Sequence, residues 1–152
     1  AQTGAFLAFW IIGYGIIQAS APGLLRNKPV SGNTAISWTF ILATVPAAIA
    51  IGLLQGLPAE LVLLTGLAIF AVVFAINSAV HSYLILSYSE HDKVAVNVGF
   101  YYMANAGGRL VGTVLSGWAF QQYGLTGCLW ISAAFVVMAG MLSLKLSSKA
   151  IP

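Results

Sequence analysis

Charge is what this sequence has least of. Six basic and three acidic residues are spread over 152 positions, so 6% of the chain is charged, against about 25% in an ordinary soluble domain. A chain so poor in charge and 60% hydrophobic cannot cover a water-soluble surface. The single cysteine, Cys128, excludes a disulfide framework and a thiolate metal site, and reads as a small buried hydrophobe. All three acids, Glu60, Glu90 and Asp92, stand at the borders of apolar runs, so no acidic pair lies within one. There is no His-Glu-x-x-His, no phosphate-cradling Gly loop ending in Lys-Ser/Thr and no Gly-x-Ser-x-Gly, which argues against an enzyme, a metal centre or a bound cofactor. The net charge of +3 comes from dispersed residues rather than a basic face, so nucleic acid is not implicated. No basic n-region with a small-residue cleavage site precedes the first apolar run, and the missing initiator Met suggests a fragment.

What the chain has instead is long apolar runs. Five of them, about 4–25, 35–54, 61–88, 96–120 and 125–146, are near the 17–25 residues that cross a bilayer as a helix. The breaks fall at Arg26–Asn33, Gln55–Pro58, Ser89–Lys93 and Gln121–Gly124, where Gly, Pro and polar residues gather. The expectation is an all-α polytopic membrane protein of five transmembrane helices, with the lipid bilayer as its first partner. Arg26, Lys28, Lys93, Lys145 and Lys149 all fall on one side of such a bundle, and the second and fourth breaks hold no Lys or Arg. The positive-inside rule makes that side the cytoplasm, with the N-terminus outside.

Arg109 is the basic residue this rule leaves over. It lies 16 residues after Lys93 and 12 before Gln121, or roughly 24 and 18 Å along a helix, too deep to reach either headgroup zone. A cation at that depth costs a few kcal/mol unless it faces protein or an aqueous cavity, and it usually marks a functional site. At about 100° per residue, Tyr102, Asn105, Arg109, Thr113 and Ser116 form a polar stripe. Two readings follow: Arg109 lines a pathway for an anion, or it ties neighbouring helices together through carbonyls and hydroxyls.

Polar residues also recur every four positions in two other runs, as Trp10, Tyr14 and Gln18 in the first and as Asn77 and His81 in the third, beside Ser78, Ser82 and Tyr88. Tyr14, Gln18, Asn77 and His81 join Tyr102, Asn105 and Arg109 as candidate substrate-binding residues. Trp10 equally suits an interfacial belt, Gln18 and Asn77 suit interhelical hydrogen bonds, and His81 suits either a neutral bridge or a proton carrier. The second and fifth runs are almost purely apolar and are expected to face lipid, outside the others. Ala104, Gly108, Gly112 and Ser116 are small residues at four-residue spacing, a pattern for close helix packing or for a hinge. Pro46 is expected to kink the second run and Pro22-Gly23 to loosen the end of the first.

The basic segment Leu24-Leu-Arg-Asn-Lys28 and the Gly-rich stretch 102–117 resemble the C-terminal half of a major facilitator superfamily transporter. More narrowly, residues 81–86, 93–109 and 127–132 resemble the organoarsenical efflux permeases of that superfamily. The resemblance implies that residues 1–152 are a partial C-terminal half-bundle, the last five of twelve helices, lacking the N-terminal half that would close the cavity. It implies a multi-pass protein of the plasma (inner) membrane that exports a small anionic substrate, 1-arseno-3-phosphoglycerate, in arsenate resistance. Arg109 would then offer a guanidinium fork to phosphate or arsenate oxygens. A carrier for another metabolite or drug, and a non-transporting membrane scaffold subunit, stay open.

Overall fold

The computed structural model describes residues 2–25, 30–89 and 91–145. Arg26, Lys28, Lys149 and Glu90, three of them used above for orientation, lie outside the described residues. Among the described residues there are four α-helices and no strand: α1 (Gln2–Leu25), α2 (Gly32–Leu54), α3 (Ala59–Tyr88) and α4 (Val94–Ser143), with a 3-10 turn at His91–Lys93 before α4. The helices α2, α3 and α4 are each long and apolar enough to cross a membrane, and α1 is apolar over Gly4–Ser20.

Local chemistry explains the boundaries. At the start of α2 the Ser31 N–H donates to Thr34 Oγ1 at 3.3 Å, half of a capping box. Its end is a Schellman turn: Leu57 N–H donates to Gly52 O at 3.2 Å and Gly56 N–H to Leu53 O at 3.1 Å. Gly56 supplies the positive φ of 75° that this turn demands, and Pro58 then prevents the helix from resuming. Glu60 in the first turn of α3 complements the helix dipole. Pro46 sits inside α2, where its missing N–H leaves the Leu42 carbonyl without its usual donor.

The fourth and fifth sequence runs are not separated by a loop. They form the single helical stretch α4, whose 50 residues would reach about 75 Å if straight, more than twice a bilayer core. One residue breaks it: Gly124 has φ 66° and ψ −168°, a region that is essentially glycine-only. The Cys128 S–H donates to Ser116 O across 3.3 Å, whereas twelve residues of straight helix span about 18 Å. The chain therefore doubles back at Gly124, giving a first arm (94–123) and a second arm (125–143). Gly127 is closely covered by the Tyr123 side chain in this bend, and a larger residue there would collide with it.

Helix directions follow from the pairs in contact. As α2 runs through Thr39, Ile49 and Gly52, its partners on α3 run back through Asn77, Gly66 and Val62, so the two form an antiparallel hairpin. Trp10 meets Leu67 and Tyr14 meets Phe74, so α1 runs parallel to α3. The second arm lies against α2, with the Phe40 ring over Gly140 and with Leu129 and Val136 packed on Leu42, Val45 and Ile49.

One expectation is overturned here. The second apolar run was expected outside, facing lipid, yet α2 is the central helix: 44% of its apolar window is buried, against 22% for α3 and 11% for α4. Val30, Ala35, Val80 and Leu84 form one core cluster between α2 and α3, and Leu42, Val45, Ile49 and Val73 form another. The reason is physical. An apolar side chain is as comfortable against another helix as against a lipid tail, so small residues that let backbones approach decide the packing. In α2 these are Gly32, Ala35, Ala43, Ala50 and Gly52, all buried. The second arm, also expected outside, buries Ala133 and Gly140 and exposes Phe135, Met138 and Met141.

Candidate functional site

A groove of about 370 Å³ opens where α2, α3 and both arms of α4 converge. Its polar lining is Thr39, Asn77, Ser78, His81, Tyr101 and Asn105, and its apolar lining is Leu42, Phe74, Phe135, Val136 and Ala139. Asn77 and His81 are four apart on α3 and Tyr101 and Asn105 four apart on α4, so each pair shares one helix face.

Hydrogen bonds hold part of this lining in place. The Thr39 hydroxyl reaches Ala35 O at 2.8 Å and Asn77 Oδ1 at 3.1 Å, sharing its one proton between them and tying α2 to α3. The Asn77 amide N–H groups keep no partner among the described residues. His81 Nδ1 lies 2.9 Å from Asn77 O, and because a carbonyl oxygen can only accept, Nδ1 carries the proton. Tyr101 Oη and Ser82 Oγ stand 3.4 Å apart across the α3–α4 junction. The groove thus offers neutral donors and acceptors on apolar walls, the general form of a small-molecule site.

Three of the seven residues singled out in the sequence, Asn77, His81 and Asn105, meet in this groove. The others stand elsewhere. Tyr14 is stacked between Trp10 (6.0 Å) and Phe74 (5.7 Å), part of an aromatic ladder ending at Phe70 that fastens α1 to α3. Trp10 completes it by donating its indole N–H to Leu67 O at 2.7 Å. Gln18 is half-buried on α1, which packs on α3 and does not reach the groove. Tyr102 is 65% exposed, its ring tilted against Tyr101.

The polar lining residues that sequence reasoning missed are Thr39 and Tyr101; for Tyr101 the miss was avoidable. A signal was present: Tyr101, Asn105, Gly108 and Gly112 follow one another at spacings of four, three and four, a single helix face. The stripe drawn through Tyr102 and Arg109 is rotated from it. Arg109 lies eight residues after Tyr101, about 80° further round the helix, and about 6 Å along the axis beyond Asn105. Its side chain is exposed, lines neither this groove nor the cavity described next, and has no hydrogen-bond or ion-pair partner among the described residues.

A second cavity, of about 460 Å³, lies between the two arms and α2 and α3, lined by Gly108, Gly112, Leu115, Ser116, Cys128, Ser132, Phe135, Pro46 and Phe70 among others. It is overwhelmingly apolar. A Cβ added at Gly108 or Gly112 would meet nothing within 4 Å, and Ala104 and Ser116 are exposed, so in this structure the small-residue stripe borders open space rather than a packed helix. Most of the first arm is exposed, including Phe100, Leu110, Val111 and Val114.

No family model, curated protein or solved structure matches the chain. Among the described residues, no three His, Cys, Asp or Glu side chains gather as a metal site would require.

Proposed function

We propose that the chain belongs to a multi-pass membrane transporter that exports a small organic anion by alternating access. The observation that carries this reading is the groove: Asn77, His81, Tyr101 and Asn105 come together from two helices that are otherwise apolar, with the unpaired Arg109 one turn past Asn105. Polar groups at membrane depth are costly and persist where they serve a pathway. In this reading the two arms of α4 are separate spans and the chain crosses the inner membrane five times, N-terminus outside and C-terminus in the cytoplasm.

The resemblance to organoarsenical permeases supplies the candidate substrate, 1-arseno-3-phosphoglycerate, and places these helices as the last five of twelve, the N-terminal half closing the groove. A phosphate or pentavalent arsenate group suits a guanidinium fork. Its arsenic is oxygen-bound, so a single Cys128 is no obstacle, whereas thiophilic trivalent arsenic would call for more sulfur ligands. The same groove would serve a major facilitator carrier of another metabolite. The deciding experiment is uptake of the labelled anion into everted membrane vesicles, with competing metabolites added. Uptake that Arg109→Gln leaves unchanged at equal expression removes the anion assignment.

A second reading draws on the exposed first arm. Open space at Gly108 and Gly112 on an apolar helix favours a scaffold subunit whose stripe receives a partner helix. Leucine at Gly112 would then abolish co-purification of that partner, with or without any transport.

A further inference from the structure

The groove is lined by hydrogen-bonding groups but by no permanent charge. An anion brought into such a place from water loses far more hydration energy than neutral hydrogen bonds return, unless a positive charge stands close. Arg109 is one such charge, but it stands outside the lining, about 6 Å along α4 from Asn105. A ligand with two anionic groups leaves its second group inside the groove, where one residue can become cationic: His81. Its Nδ1–H is committed to Asn77 O at 2.9 Å, so the ring's bare nitrogen is Nε2, which has no hydrogen-bond partner among the described residues. The elements packed around His81 bring little that competes. Tyr101 on the first arm is the other titratable residue of the lining, while α2 presents Thr39 and Leu42 and the second arm Phe135, Val136 and Ala139, none of which ionises. No carboxylate lines the groove.

We infer that the groove binds a dianion together with one proton: His81 Nε2 takes that proton from solvent as the ligand enters, and the imidazolium pairs with the second anionic group while Arg109 holds the first. The inference rests on the anion-transport reading and extends it to the ligand's charge and to proton coupling. Histidine is the side chain whose charge changes across the physiological range, so binding is tied to pH. Affinity for a dianion of fixed charge falls about tenfold for each pH unit above the midpoint of the imidazole titration.

The test is calorimetric titration of the purified full-length protein in detergent with 3-sulfolactate, a three-carbon dianion whose sulfonate and carboxylate keep their charge from about pH 6 to about pH 8.5. Buffers of different ionisation enthalpy report the protons taken up. Wild-type protein is expected to take up close to one proton per dianion at the upper end of that range. His81→Gln should bind weakly at every pH and take up none, and Arg109→Gln should bind weakly yet still take up the proton. Binding that is flat with pH and without proton uptake overturns the inference and leaves the anion reading standing. Uptake that persists in His81→Gln also overturns it. An absence of binding even at the lower pH overturns both. Should His81→Gln fail to fold, imidazole 15N resonances of the full-length protein in which every histidine but His81 is replaced by Gln report protonation directly. A Nε2 signal that the dianion does not move refutes the proposal.

Discussion

The indole N–H of Trp10 donates to the backbone carbonyl of Leu67 at 2.7 Å, joining the first helix to the third. The bond fixes the register in which Tyr14 stacks on Phe74. Trp10→Phe keeps a ring to stack but loses the donor and is expected to cost about 0.5–1.5 kcal/mol. Trp10→Ala also loses the stacking, a further ~0.5–1.5 kcal/mol. Thermal unfolding in detergent measures both: an unchanged midpoint in Trp10→Phe would show that the hydrogen bond contributes nothing, and equal losses in the two variants that the stacking contributes nothing.

At the centre of the hairpin, the Ile49 side chain sits directly on the Gly66 backbone, where a Cβ would overlap it. Gly66→Val should therefore destabilise by about 1–3 kcal/mol through overpacking. Ile49→Ala in the same chain opens the space and should recover part of that loss. Strict additivity of the two changes in denaturation midpoints would mean that the contact is not the cause.

The reversal at Gly124 makes a covalent prediction. Ser116→Cys should form a disulfide with Cys128 under mild oxidation, since Cys128 Sγ already lies 3.3 Å from the Ser116 carbonyl. A continuous helix would hold the two about 18 Å apart and give no cross-link. Gly124→Ala, forced into a glycine-only backbone region, should cost about 1–3 kcal/mol.

On the anion-export proposal, export should decline in the order wild type, Arg109→Lys, Arg109→Gln. Lysine keeps the charge without the bidentate fork, and glutamine loses both. Losing charge-assisted hydrogen bonds of about 1.5–3 kcal/mol corresponds to roughly tenfold or more in rate. Asn105→Ala and Tyr101→Phe, single neutral bonds, should lose less, and Tyr102→Phe least, because its ring is exposed outside the groove. Everted-vesicle uptake normalised to expression checks the order. Insertion should be unimpaired or improved in Arg109→Gln, since removing a charge from mid-membrane eases it.

Much of the helical framework was legible along the chain. The breaks at Gln55–Pro58 and Ser89–Lys93 carry turn chemistry that acts over a few residues, and the helices end there. The pairing of Asn77 with His81 was legible because four residues bring side chains to one helix face whatever surrounds them. Gly124 was legible as a break but not as the whole of it. A polar four-residue segment reads as a loop, yet Gln121, Gln122 and Tyr123 stay helical and one glycine makes the turn.

The sequence by itself determined that this chain is a set of long apolar helices, where they stop, and that a few polar residues lie within them. These properties depend on local geometry and on composition. Only the tertiary structure decided that α2 is central, that Tyr101 rather than Tyr102 faces the groove, and that Arg109 stands beside it rather than in it. Each of these depends on which way a helix is turned. Among apolar surfaces, a lipid-facing side and a helix-facing side have nearly the same composition, so rotation is set by where small residues such as Gly66 and Gly140 admit a neighbour's side chain.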